Sequence, residues 1–309
     1  MIKRILISGS NGFTGRYVIK ELLNLGYEDF GLTSDCSVTG KTIDLNDQNA
    51  IKSVVDFVKP TAVIHLAAIA YVDHGFEIDF LKINVEGTSC FLNLLRQSNS
   101  SLNTVIVASS ANIYGNTVVG RPISENTAPN PQNFYAESKL LMEEMIKCDF
   151  ADLPITIVRP FNYTGVGQSV NFLVPKIVKA FKERQDVLKL GNIEVSRDFS
   201  DVRFVAKAYS KLIEKNISGE LLNICSGCPS SIQWILQFCE KVTGHRILIE
   251  SDKTLRRKNE IKTLWGDPSH MSNVLGETSM YTMEDTLSWM LSSNMNVSDR
   301  FKICQNQRF

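Results

Sequence analysis

Short apolar runs rich in β-branched residues alternate with longer amphipathic stretches from the start of the chain. Ile5-Leu6-Ile7, Phe30-Gly31-Leu32-Thr33, Lys41-Thr42-Ile43-Asp44, Ala62-Val63-Ile64-His65, Thr104-Val105-Ile106-Val107 and Ile155-Thr156-Ile157-Val158 read as successive strands. Between them, apolar positions return at helical spacing over about Gly15 to Leu25, Asp47 to Val58, Asp79 to Arg96 and Tyr135 to Asp149, with Asn46 placed to cap the second helix. Strands that alternate with helices predict βαβ units, hence an α/β fold with a doubly wound, Rossmann-type parallel sheet.

After Pro160 the texture changes. Irregular connections over 162–171 and 251–267 separate helices at about Pro175 to Arg184 and Ser231 to Thr243, while Leu221-Leu222-Asn223-Ile224 is expected to return to the main sheet. This predicts a smaller C-terminal α/β domain interleaved with the first: residues 1–162 with about 195–226 in one, 163–194 and 227–309 in the other.

Composition narrows the class. The 33 Lys+Arg balance 33 Asp+Glu, so no long-range field draws the chain to nucleic acid or anionic lipid. Apolar runs such as Thr61 to Ala70 fall short of the roughly 18 residues needed to span a bilayer. The N-terminus enters a strand at once, without a signal-peptide pattern, which predicts a cytoplasmic protein. Cys225 and Cys228 have metal or redox spacing but no second Cys or His pair beside them, and read as two free thiols at a strand end. No metal site is expected: His74, His245 and His270 lack ligand spacing, and His65 reads as a packing residue.

Gly9-Ser10-Asn11-Gly12-Phe13-Thr14-Gly15 joins the first strand to the first helix. Glycines there suit a tight turn, a close backbone approach to a pyrophosphate and close packing, and the helix N-terminus favours anions. The sequence thus predicts a dinucleotide cofactor. Asp35, after the second strand, is placed to bind an adenosine ribose and repel a 2′-phosphate, which favours NAD(H); Arg16 pulls the other way and leaves NADP(H) open. Asp44, at the end of the third strand, is a candidate for the adenine amino group.

Tyr135 and Lys139, spaced i and i+4, share one helix face. An ammonium and a nicotinamide charge could hold the phenol as phenolate, making Tyr135 the proton donor or acceptor in hydride transfer. Ser110 follows the Thr104 to Val107 strand, where open sheets present their binding crevice, and is expected to hold the carbonyl.

Gly9-x-x-Gly12-x-x-Gly15, His65-Leu66-Ala67-Ala68, Asn84-Val-Glu-Gly87-Thr88, Ser109 to Gly115, Tyr135-x-x-Ser138-Lys139 and Arg159-Pro160-Phe161-Asn162 together resemble the extended short-chain dehydrogenase/reductases acting on nucleotide sugars, over nearly the whole chain. The resemblance implies a seven-stranded NAD(P)-binding Rossmann domain and a small sugar-nucleotide domain. It implies cofactor contacts at Gly9, Asn11, Gly12, Phe13, Thr14, Gly15, Leu45, Leu66, Ala67, Ala68, Ala108, Pro160 and Phe161. Tyr135, Lys139 and Ser110 fall on the family's catalytic positions.

The second half, with Arg197-Asp198-Phe199-Ser200-Asp201-Val202-Arg203, is similar to GDP-4-keto-6-deoxymannose reductases and neighbouring 4-ketoreductases. That likeness implies substrate contacts at Ser110, Asn162, Val174, Arg197, Asn223 and Arg257, the two arginines gripping a diphosphate. There are departures: Asp35 stands near a usual basic residue, Tyr163 replaces a usual His, and Phe204 a usual Asp. The expected activity is NAD(P)H-dependent reduction of the 4-keto group of a dTDP- or GDP-linked 4-keto-6-deoxyhexose, as in deoxysugar and surface-polysaccharide (O-antigen) synthesis. A 4-epimerase that retains its NAD is the alternative; a catalytically silent NAD-sensing or scaffold protein is the non-enzyme one. A homodimer is expected through helices at about Asp79 to Arg96 and Tyr135 to Asp149, whose Phe91, Leu92, Leu95, Leu141 and Met145 exceed what one sheet face would bury.

Overall fold

The structure, a computed structural model, describes residues 4–32, 45, 47–70, 77–98, 101–115, 120–252, 262–276 and 281–293. Its centre is a six-stranded sheet in the order β2-β1-β3-β4-β5-β9. The strands are β1 (Arg4–Ser8), β2 (Glu28–Leu32), β3 (Ala62–His65), β4 (Thr104–Ala108), β5 (Ile155–Pro160) and β9 (Leu221–Ile224), and every pair is parallel. The doubly wound fold is therefore as expected, including the return of Leu221–Ile224 to the sheet edge beside β5. The expected strand Lys41 to Asp44 lies outside the described residues.

Period-two alternation divides the sheet between two cores. Ile5, Ile7, Ile64, Ile106, Val158, Leu222 and Ile224 face α1 (Phe13–Asn24), α7 (Val202–Glu214) and α9 (Ser269–Leu275). Leu6, Val63, Val105, Val107, Ile155 and Ile157 face α2 (Gln48–Val58), α4 (Gly87–Gln97) and α5 (Phe134–Asp149). A strand buried on both faces must be apolar at consecutive positions, which is why these segments read as unbroken hydrophobic runs.

Three helical expectations are corrected. Asn46 lies outside the described residues and Asp47 caps α2, accepting from Ala50 N at 3.0 Å. The helix expected over Asp79 to Arg96 is α3 (Glu77–Phe80), a π-helical stretch Leu81–Glu86 and α4. Phe91, Leu92 and Leu95 are fully buried in their own chain, against the sheet and α2, so they do not form a surplus apolar face. Leu141 is exposed on α5, as are Phe134 and Ile78 nearby in the fold.

The remaining chain builds a second core. α6 (Leu173–Lys182), α8 (Ile232–Thr243) and α10 (Met283–Ser292) pack around the parallel pair β7 (Val187–Leu190) and β11 (Leu248–Ser251). Between the two cores, β8 (Ser196–Asp201) pairs with β6 (Asn162–Thr164), β10 (Pro229–Ser231) and β12 (Thr263–Leu264), apart from the main sheet. Arg203 fastens α10 there: its guanidinium grips Asp201 and lies 3.8 Å from the Tyr281 ring and 3.9 Å from that of Trp289. Among the described residues, no helix is long and apolar enough to cross a membrane.

Candidate active site

The chain leaves β1 toward β2 on one side and later returns to β3 on the other, so the carboxyl ends of β1 and β3 flank the switch point where doubly wound sheets open a crevice. The glycine turn occupies it. Gly9 has φ +72°, and a Cβ there would stand 2.8 Å from Ala67 N, so only glycine lets the turn lie on the segment leaving β3. A Cβ on Gly15 would run into the carbonyls of Gly9 and Ser10. Helix α1 then starts with Gly12 as N-cap, with no side-chain cap and no acidic residue in its first turn. An uncapped helix start without a competing carboxylate, walled by the half-buried Leu66, Ala67 and Ala68, fits the pyrophosphate of a dinucleotide.

The next two residues tie this turn to the start of the second body. Thr14 Oγ1 and Tyr163 Oη share a hydrogen bond of 2.7 Å, and the Phe13 ring stacks on Tyr163 with centroids 6.0 Å apart. Tyr17 Oη donates to Val166 O at 2.7 Å. Tyr163 therefore fills the place of the expected His as a strap across the turn.

Tyr135 sits in the first turn of α5, whose N-cap Asn133 accepts from Ala136 N at 2.9 Å. The Ser110 side chain lies close enough to act on its hydroxyl. Ser109, the adjacent candidate, is committed elsewhere, donating to Glu143 Oε1 at 2.5 Å. Lys139, one turn on, donates from Nζ to Ala108 O at 2.8 Å, which brings it to the end of β4. Ser110, Tyr135, Lys139 and Ala108 thus converge.

Burial dominates the electrostatics of Tyr135 and Lys139. Burial pushes the Tyr135 phenol up to about 12; the Ser110 side chain opposes this and nearby Tyr163 adds to it. The Lys139 ammonium, one helical turn from Tyr135, donates to the Ala108 carbonyl. Burial pulls Lys139 down to about 8, with the Glu143 carboxylate opposing. Both groups are closed off from water, which shifts each toward its neutral form while Lys139 stays protonated below about pH 8.

Other expected site residues are placed as follows. Asp35, Asp44 and Arg257 lie outside the described residues. Leu45 and Asn11 are half-buried, Leu45 against the α2–α4 core. Pro160 and Phe161 lead from β5 to the exposed Asn162, and Phe161 stacks with Tyr114 at 6.2 Å. Arg197 lies in β8 and donates to Ser196 O at 2.8 Å. Two of the expected substrate residues are enclosed. Val174 is buried in the second core. Asn223 is fully buried, with Oδ1 accepting from Tyr114 Oη at 2.7 Å and Nδ2 donating to Ile123 O at 3.0 Å, so its amide braces the interior. Phe204 likewise joins the core beside α1. Cys225 and Cys228 are free thiols, the first buried and the second exposed.

Sequence reasoning gave no role to Asn84, Ser138, Glu143 or Arg159, all buried directly behind these groups. One signal was available: Arg159 is a lone charge ending an apolar strand, and Glu143 repeats the i+4 step beyond Lys139.

Comparison with known proteins agrees with this geometry. Residues 5–225 match the model of the NAD dependent epimerase/dehydratase family. The chain is 35% identical over 282 residues to GDP-6-deoxy-D-talose 4-dehydrogenase of Aggregatibacter actinomycetemcomitans, covering 90% of this chain and 93% of that one. It is 28% identical over 302 residues to GDP-6-deoxy-D-mannose reductase of Pseudomonas aeruginosa, covering 94% and 97%. The structure of RMD from Pseudomonas aeruginosa complexed with NADPH superposes with a TM-score of 0.83 at 28% identity, covering 94% and 97%. With a switch-point glycine turn, a Ser-Tyr-Lys cluster and a family match over most of its length, the chain belongs to the NAD dependent epimerase/dehydratase family.

Proposed function

We propose that the protein is a nucleotide-sugar 4-ketoreductase acting on a 4-keto-6-deoxyhexose. The observation that carries this reading is the gathering of Ser110, Tyr135 and Lys139 at the end of β4, where Lys139 Nζ donates to Ala108 O at 2.8 Å and the Ser110 side chain acts on the Tyr135 hydroxyl. NAD(P)H bound in the turn supplies the hydride. Tyr135, protonated across neutral pH, gives its proton to O4 as C4 is reduced, so the C=O bond becomes CH–OH. Ser110 holds O4 in line, and Lys139 supplies positive charge behind the phenol. In reverse, the same groups oxidise a 4-hydroxyl, so a 4-dehydrogenase and a reductase describe one chemistry.

The relatives favour a GDP-linked sugar over a dTDP-linked one. Talose and mannose differ here at C4 alone, so removing hydrogen at C4 of either GDP-6-deoxy sugar gives the same keto compound. Ala111 and Asn112, which follow Ser110, carry no carboxyl to manage water elimination or a further epimerisation, which supports plain carbonyl reduction.

NADH is proposed as a well-used cofactor because of Asp35. A kcat/KM for NADPH more than tenfold above that for NADH, a difference of about 1.4 kcal/mol, would assign cofactor choice to Arg16 instead. A homodimer is proposed through the α3–α5 face, now resting on the exposed Ile78, Phe134 and Leu141; a monomer mass by light scattering rejects it.

The deciding experiment adds GDP-4-keto-6-deoxymannose, then its dTDP-linked counterpart, to enzyme and NAD(P)H. The reductase reading expects one reduced nicotinamide consumed per sugar. Tightly held NAD, no net consumption and interconversion of two hydroxy-sugars would establish the epimerase reading instead.

A further inference from the structure

Behind the proposed site lies a buried carboxylate to which the mechanism above gives no part. Glu143 is completely enclosed, one helical turn beyond Lys139 on α5. Its Oε1 accepts from Ser109 Oγ at 2.5 Å and from Arg159 Nε at 2.9 Å, and its Oε2 accepts from Arg159 Nη2 at 2.6 Å. Arg159, near the end of β5, donates from Nη1 to Tyr114 Oη at 2.8 Å, and Tyr114 Oη in turn donates to Asn223. The carboxylate therefore joins the residue before Ser110, the helix that carries Tyr135 and Lys139, and the strand that ends in Pro160.

The bidentate bond to Arg159 gives the Glu143 carboxyl a fixed partner in the interior. It does not explain why the pair lies one turn from a second buried cation. A buried charge without a counter-charge is strongly disfavoured, and among the described residues Lys139 has a backbone carbonyl and the Met142 sulfur as direct partners. The titratable groups around it are few. From α5 come Tyr135, Glu143 and, at 3.9 Å from Glu143 Oε2, the exposed Lys147. From β3 comes His65, whose imidazole is held neutral by burial and by the Lys139 charge itself. From β5 comes Arg159, and from beyond it Tyr114 and Glu125, the latter accepting from Asn223 N at 2.7 Å. Glu143 is thus the enclosed anion next to Lys139, and no other carboxylate in this set stands on its helix face.

We propose that Glu143 is a positioning residue whose locked negative charge keeps Lys139 protonated at working pH, while Ser109 and Arg159 fix where that charge sits. This rests on Lys139 serving the reaction as described above. Burial and Glu143 pull Lys139 in opposite directions, and the balance falls at about 8. Removing the carboxylate leaves burial unopposed, so Lys139 loses its proton at lower pH and the positive charge behind Tyr135 disappears earlier.

The test follows Lys139 directly, in protein without cofactor or substrate. The 13Cε resonance of labelled lysine, assigned through Lys139→Met, is titrated in wild type, Glu143→Gln and Glu143→Asp. The expected result is a midpoint in Glu143→Gln that is lower by about one pH unit or more, with Glu143→Asp restoring it. The alkaline limb of kcat should move down with it. If Glu143→Gln folds poorly, Glu143→Gln with Arg159→Gln leaves no unpaired charge in the interior, and its midpoint should lie below that of Arg159→Gln, which keeps the carboxylate. An unchanged midpoint in a folded variant that lacks the carboxylate overturns the proposal and reduces Glu143 to a brace. Because the midpoint needs no sugar, failure of the reductase reading leaves this result standing, and the reverse also holds.

Discussion

Asn84 donates from Nδ2 to Ser138 Oγ at 3.0 Å, the fifth of six bonds in a buried relay from the wall of the glycine turn to the helix that carries Tyr135. Ser138 passes its hydrogen to Tyr135 O at 2.8 Å, and Thr88 Oγ1 gives its only hydrogen to Asn84 O at 2.8 Å. Thr88 must then accept from His65 Nε2 at 2.9 Å, which leaves Nδ1 to accept from Ser8 Oγ at 2.6 Å. Ser8 Oγ accepts in turn from Ala67 N at 3.2 Å. The hydrogen count thus sets the His65 tautomer and links the wall of the glycine turn to the backbone of Tyr135.

Cutting the relay should cost stability in proportion to the groups left unpaired. Ser138→Ala deprives Asn84 of one acceptor and is expected to cost about 1 kcal/mol; Asn84→Ala also strands the Ile69 amide and carbonyl and should cost about 3 kcal/mol. Urea denaturation measures both. Equal midpoints for the two variants and wild type would show that the relay carries no weight.

His65 makes folding stability depend on pH. Burial, followed by the Lys139 charge, lowers its pKa from 6.5 to about 3, so the folded state keeps it neutral where the unfolded chain would be protonated. Its contribution is complete above pH 6.5 and declines as pH falls from there toward about 3, by up to about 1.4 kcal/mol per pH unit. His65→Asn should flatten that part of the stability curve between pH 6 and 4.5, as read by urea midpoints at stepped pH; an unaltered slope contradicts the assignment.

The sheet was legible in the sequence because strands buried on both faces leave continuous apolar runs, and the glycine turn because a Cβ at Gly9 or Gly15 has nowhere to go. The pairing of Tyr135 with Lys139 was legible for a similar reason, since i and i+4 on one helix is a local relation. What escaped depends on contacts distant in sequence. Asn223 reads as a polar residue at a strand end, yet its partners are Tyr114 and Ile123, about a hundred residues earlier, and they turn it into an internal brace. Phe91, Leu92 and Leu95 read as surplus until α2 is placed over them. The π-helical stretch around Asn84 carries no local signal in its composition.

Tyr135→Phe should lower kcat by about 10²–10⁴ while cofactor affinity stays within about twofold, since only the transferable proton is lost. Ser110→Ala should lose less, because Tyr135 keeps its acid. Lys139→Met should damage turnover and cofactor binding together. Stopped-flow hydride transfer with fluorescence titration of NAD(P)H separates these cases, and a Tyr135→Phe enzyme with a tenth of wild-type kcat would remove Tyr135 from its role.

The strap between Thr14 and Tyr163 offers a test of how the two bodies share the cofactor crevice. Burial raises the Tyr163 phenol, so its hydroxyl keeps its hydrogen across neutral pH and the 2.7 Å bond to Thr14 persists. Tyr163→Phe retains the ring stacked on Phe13 and removes only that bond; Thr14→Val removes it from the other side while preserving shape. Each should cost about 1 kcal/mol of stability and weaken NAD(P)H binding several-fold, because the turn that faces the pyrophosphate loses one of its two lateral ties. The double variant decides whether the bond is the cause. If Thr14 and Tyr163 act through each other, the combined change should be no larger than either single change, which gives a coupling energy of about 1 kcal/mol. Strict additivity would mean that each side chain supports the crevice independently, and that the strap is contact without coupling.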